Sequence, residues 1–318
     1  MRNIINPVYK KELKLNMRTW KTAIFVMLYN LFLAGISLLA YYLTIDMADY
    51  SSFSYSILLN VFRGMMTLEY ALVLFLVPSY TSGAISGERE RQTLEILLTT
   101  KMKPFQIVIG KLLSSISLII LLVISSLPIL SIIFSVGGAS VTELLKLIIM
   151  CITSAIYIGS FGILFSTLFK RTMPSTVITY LMILFLCFGT IAIAVVAYAL
   201  DYQNHYDVEN YVATAGPFAY LLLFNPLISY VNFIFGGYSE NWLLGITIGE
   251  LCKKAPDFLQ EHWGLAATVC QLVVAFLILR LAARKLNPTH YQNRKRQKKA
   301  RKVQKKAMKA GVEGSVSE

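Results

Sequence analysis

The sequence predicts an all-α membrane protein. It has six transmembrane helices, an N-terminal interfacial amphipathic helix, a short cytoplasmic helix between spans two and three, and re-entrant helices before the last span. Three observations predict it. Of 318 residues, 56% are hydrophobic and only 15% charged, where a soluble domain carries roughly a quarter charged. Several apolar runs exceed the ~20 residues that cross about 30 Å of hydrocarbon, and they lack the strict alternation of barrel strands. Lysine and arginine gather on alternate loops, as they do in a chain that threads a bilayer back and forth.

The first element begins at Asn6-Pro7, an N-cap followed by a first-turn proline. Val8, Tyr9, Leu13, Met17 and Trp20 fall near one face, with Lys10, Lys11, Glu12, Lys14, Arg18 and Lys21 over much of the rest. Such a helix lies in the membrane interface, cations toward lipid phosphates. Residues 1–21 are this interfacial helix, 22–286 the membrane domain, and 287–318 a basic cytoplasmic tail expected to be flexible. The spans are predicted at about 22–44, 60–86, 105–136, 141–169, 174–200 and 262–286. Pro128 is expected to end or kink the third, and Pro174 to open the fifth.

Of the 30 basic residues, only Arg63, Lys146, Lys253 and Lys254 fall on the side away from the termini, which places both termini and the 87–104 loop in the cytoplasm. A span across 211–237 would force the basic tail outside, and Asn225-Pro226 cuts that stretch into halves too short to cross. It is therefore predicted to be a re-entrant pair within an outer segment of about 207–258, with a seventh span as the alternative. No cleavable signal is expected, since "YYLTIDMADY" follows the first span where a small-x-small site would stand.

Chemistry-bearing residues are sparse. Cys151, Cys187, Cys252 and Cys270 and the three histidines are scattered, so no metal site is expected. There is no GxxxxGK[ST], HExxH or GxSxG. Glu69 is the one acid well inside a predicted span. It reads as an outer-rim carboxylate or as a contact on a substrate path or gate, and Asn225 and Pro226 are further pathway or gate candidates. The outer segment is acidic and tyrosine-rich, fitting an interfacial aromatic belt or an exit vestibule. The tail fits anionic lipid better than nucleic acid, which is not an expected partner.

The loop "SGERERQTLEILLTTK" (86–101) stands apart. Gly87 frees the chain to turn, Glu88 and Glu90 favour a helix N-terminus, and Arg91–Glu95 are four apart. One helix over about 88–98 would leave Leu94, Leu97 and Leu98 as an exposed ridge, for docking into a groove on a cytosolic protein or for skimming lipid. This stretch, followed by "IVIGKLL", resembles the motif SGERE-x-GTLE-x-LL-x-TP…GK of the ATP-binding-cassette type-2 permeases, and "NPVYKKEL" resembles that family's opening helix. The resemblance spans about residues 1–286. It implies the permease subunit of an ATP-driven exporter in the plasma (inner) membrane of a prokaryote. The partners it implies are a separate ATPase subunit and a second permease, alike or different.

On that resemblance the 88–98 helix is a coupling helix seated on the ATPase, carried by Glu88, Arg89, Glu90, Arg91, Thr93, Leu94, Glu95 and Leu97. The N-terminal helix braces it. This chain would bind no cofactor and catalyse nothing itself, with ATP and Mg on the partner. Two positions depart from the motif: Gln92 replaces Gly, which should firm the helix, and Lys101 replaces Pro, with Pro104 three residues on. The rival classes are an ATP-independent membrane enzyme, lipid-modifying or proteolytic, that would depend on Glu69 or His205, and a membrane sensor or scaffold.

Overall fold

In a computed structural model the described residues are 7–17, 19–47, 55–99, 102–137, 141–205, 213–235, 256, 258 and 262–286. Arg18, most of the outer segment and the basic tail lie outside them. Helix α1 is Pro7–Met17, α2 Trp20–Met47, α3 Tyr55–Thr81, α4 Ser86–Glu90, α5 Leu94–Thr99, α6 Pro104–Gly137 and α7 Val141–Leu168. Helices α8 (Thr172–Leu184) and α9 (Thr190–Asn204) are joined by a π turn, Phe185–Gly189. A 3₁₀ segment (Gly216–Phe224), α10 (Pro226–Phe235) and α11 (Trp263–Leu286) complete the chain. No strand occurs among the described residues.

Six of these helices are long and apolar enough to cross a bilayer: α2, α3, α6, α7, α8–α9 and α11. They match the six predicted spans within a few residues. The 3₁₀ segment and α10 meet at 85°, so the two halves form a bent pair. Pro128 does not end the third span; α6 runs through it to Gly137. A proline inside an apolar helix leaves one carbonyl for neighbours to satisfy, which packed spans tolerate.

Helix α7 is the hub, packed against α3, α6, α8, α10 and α11. Its glycines allow α3 and α6 to come close. A Cβ on Gly162 would stand 2.1 Å from Thr81 Oγ1, and one on Gly159 2.8 Å from Leu112 Cδ1. Interfaces between membrane helices favour small residues for this reason, since dispersion contacts must do what water cannot. Helix α2 is peripheral: Met27, Leu28, Leu31 and Phe32 turn outward, as lipid-facing residues do.

The N-terminal helix is part of the packed bundle. It packs on α6 and, to a lesser extent, on α2, with Val8 buried and the Ser117 hydroxyl donating to Tyr9 Oη at 3.1 Å. Lys10 and Lys14 are exposed.

At the bent pair, unpaired backbone would be costly inside a membrane. Asn225 resolves much of it. Its Oδ1 accepts the Leu227 and Ile228 N–H groups at 2.8 and 3.2 Å, capping α10 ahead of the first-turn Pro226. Its Nδ2 donates to Cys187 O and Thr190 Oγ1, both at 2.8 Å. The Cys187 carbonyl lies in the π turn, where the regular i to i−4 ladder is interrupted. Tyr157 donates to Phe224 O at 3.1 Å, Tyr70 to Pro226 O at 2.9 Å, and Gln271 Nε2 to Leu223 O at 3.2 Å. Asn225 is fully buried with its amide occupied on both ends, so the break is sealed by spans two, four, five and six.

Candidate functional site

The 86–99 loop is built from the end of α7 upward. Ser166 Oγ accepts the N–H groups of both Ile85 and Ser86 at 2.8 Å, capping α4 from a neighbouring span. The SGERE segment then turns its charges onto its own protein. Arg89 donates to Phe169 O at 2.8 Å and to Thr167 O at 3.1 Å, at the C-terminus of α7. Glu90 accepts from Thr172 N–H at 2.9 Å and from its hydroxyl at 3.1 Å, at the N-terminus of α8. A cation thus meets carbonyl ends and an anion meets amide ends, the sense each helix dipole favours. Glu88 accepts from Lys111 Nζ at 3.0 Å and from the Thr93 hydroxyl. Three consecutive charged residues therefore clip α4 to α6, α7 and α8.

The predicted single helix over 88–98 is two helices. Arg91 closes α4, and Gln92 sits at φ +60°. Thr93 N–H reaches Glu88 O at 2.9 Å and Gln92 N–H reaches Arg89 O at 3.2 Å. This paired pattern is a Schellman motif, whose left-handed position is usually glycine. Gln92 ends the helix here and does not firm it. Where the resembling motif has Gly, this chain puts a side chain into strained backbone.

The break re-aims everything after it. Leu94 is 7% exposed and joins the core, and Leu97 and Leu98 pack half-buried against it. The expected exposed ridge is thus turned inward. The outward face is Arg91, Gln92, Thr93, Glu95 and Ile96, with Ile96 70% exposed. Ile96 was hidden from the sequence by the assumed continuous helix. Treating residue 92 as a helix stop, with Thr93 opening the next turn, brings Ile96 out. Beside it a recess of about 330 Å³ is lined by Arg89, Gln92, Leu94, Glu95, Leu98 and the Lys285–Leu286 end of α11.

The other candidates separate from this loop. Glu69 is fully buried within the bundle. One oxygen accepts from the buried Ser126 hydroxyl, while Oε2 has no hydrogen-bond partner among the described residues. Tyr29, from α2, stands near it, its own hydroxyl unpartnered in the same sense. His205 caps the end of α9 beside Asp201. No group of three metal-ligating side chains occurs among the described residues, and Cys151, Cys187 and Cys270 are free thiols.

A bundle of six apolar helices with an amphipathic loop clipped to one end defines a multi-pass integral membrane protein. The family model described as ABC-2 family transporter protein matches residues 6–283, and the chain belongs to that family. It is accordingly a membrane permease component of an ABC transporter, a non-catalytic part that associates with an ABC ATPase subunit. No curated protein matches the chain.

Proposed function

We propose that this chain is the membrane-spanning permease of an ATP-driven exporter and that the 86–99 loop transmits the ATPase stroke into the spans. The observation that carries the reading is the division of labour in that loop. Glu88, Arg89 and Glu90 are committed to α6, α7 and α8, while Ile96 stands exposed on a short helix with no core beneath its outward face. A protruding branched apolar side chain ringed by Arg91, Thr93 and Glu95 suits a groove on a folded partner. Closure of two ATPases around ATP would push α5, and the clip would turn that push into movement of the α7–α8 hairpin.

Both termini are cytoplasmic on this reading, ATP and Mg stay on the ATPase, and two permeases of the same or different sequence enclose the substrate path. The membrane is the inner membrane of a prokaryote, with anionic lipid along the 287–318 tail. Glu69 is the gate candidate, because a buried carboxylate with one free oxygen is ready for a partner that arrives only in another state. Asn225 and Pro226 act instead as the lock that holds the bent pair against span five.

The test is mild extraction of the tagged full-length chain. An ABC ATPase should co-purify with wild type and be largely lost with Ile96→Asp, while the variant stays monodisperse. Wild type without an ATPase, or full retention by Ile96→Asp, defeats the assignment.

A further inference from the structure

Lys111, in the second turn of α6, has no place in the clip described so far beyond its bond to Glu88. It is 6% exposed, and its ammonium is shared between two carboxylates from different elements. Glu12 reaches it from α1, and Glu88 Oε1 from α4 at 3.0 Å. Helix α1 packs mainly on α6, and to a lesser extent on α2, while α4 packs on α8 and α5. The ammonium is therefore the point at which the N-terminal helix and the loop are tied together. Glu88 also takes the Thr93 hydroxyl, so polar contacts run without a gap from the start of α5 through Thr93, Glu88, Lys111 and Glu12 to α1.

Two carboxylates around one largely buried ammonium make a junction that fails as a unit. Remove the cation and two negative groups face each other with reduced access to water, which drives them apart. Remove one carboxylate and the ammonium recentres on the other. Either change severs α1 from the loop without touching the contacts of Arg89 and Glu90 to α7 and α8.

We propose that Lys111 is a positioning residue that makes α1 and the α4–α5 loop move as one body. Motion of α5 is delivered through it to α1, and from α1 directly into α2, which begins at Trp20. This supplies a second transmission line, to the first span, where the Arg89–Glu90 clip supplies one to spans four and five. The source of the motion rests on the proposed function; the mechanical union of α1 and the loop does not.

The test is hydrogen exchange by mass spectrometry on the purified full-length chain. Lys111→Met should raise exchange over both 8–17 and 86–99 at least about fivefold, and Lys111→Arg should bring both back to within about twofold of wild type. Glu12→Gln, at the more exposed end of the junction, should raise exchange in the distant 86–99 segment as well as in 8–17. Loosening confined to 8–17, unchanged exchange in Lys111→Met, or a monodisperse Lys111→Arg that stays loose each overturns the proposal. If Lys111→Met does not fold, Glu12→Gln decides alone.

With the ATPase bound, a non-hydrolysable ATP analogue should alter exchange over 8–17 in wild type and not in Glu12→Gln at equal ATPase retention. An equal response in both overturns the transmission claim. Absence of any bound ATPase would sink the proposed function while the exchange result on the isolated chain stands.

Discussion

Gln92 holds a strained backbone, as the one non-glycine residue with positive φ among the described residues. Gln92→Gly should relieve it, raising stability by about 0.5–1 kcal/mol; a rise in the melting midpoint of the detergent-solubilised protein checks this, and a fall would show that the strain is imaginary. Leu94 and Ile96 make a second residue-scale contrast, two apolar side chains two positions apart with opposite fates. Leu94→Ala empties a core position and should cost about 2–3 kcal/mol. Ile96→Ala should leave stability within about 0.5 kcal/mol and weaken ATPase retention instead. Parallel melting and co-purification separate the two. A docking variant at Leu94 would mislead, since a loss of binding there would follow from a loss of packing.

At the scale of elements, the α7–α8 turn is held by two opposite charges on one neighbouring helix. Glu90→Lys places a cation at the N-terminus of α8 and removes both hydrogen bonds to Thr172. We expect a loss of about 1–2 kcal/mol in stability and a larger loss of ATP hydrolysis coupled to the permease, read as ATPase activity of the assembled complex. Unchanged hydrolysis at normal assembly would show that the α8 contact carries no motion. The elements themselves were legible in the sequence wherever length and composition decide: six apolar runs gave six spans, and Asn225-Pro226 marked the bend. What was not legible is where side chains from distant elements converge. Local arguments put Glu88 at a helix N-terminus and Arg91 on Glu95 along one helix, while tertiary partners from residues 111, 167, 169 and 172 took Glu88, Arg89 and Glu90. Glu69 shows the same limit. Its depth could be counted along a helix, but its enclosure depends on α2 and α6 closing over it.

At the scale of the whole molecule, the bundle is organised around α7, where Gly162 leaves no room for a Cβ beside Thr81. Gly162→Ala should lower the melting midpoint by several degrees, equivalent to about 1–3 kcal/mol of overpacking. Gly162→Ala with Thr81→Ala, which removes the 2.1 Å clash with Thr81 Oγ1, should recover part of it. No recovery would place the strain elsewhere. The family match and the six spans agree that the bundle is the membrane part of an ABC transporter. The π turn in span five adds a consequence of its own. A turn of that kind holds one residue more than the α ladder needs, so the stretches before and after it are out of phase by about 100°. Deleting one residue from Phe185–Gly189 would restore an unbroken α-helix and swing α9 round its axis, carrying the buried Thr190 and Ala194 toward lipid and away from Asn225. One surplus residue decides which way the far half of that span faces.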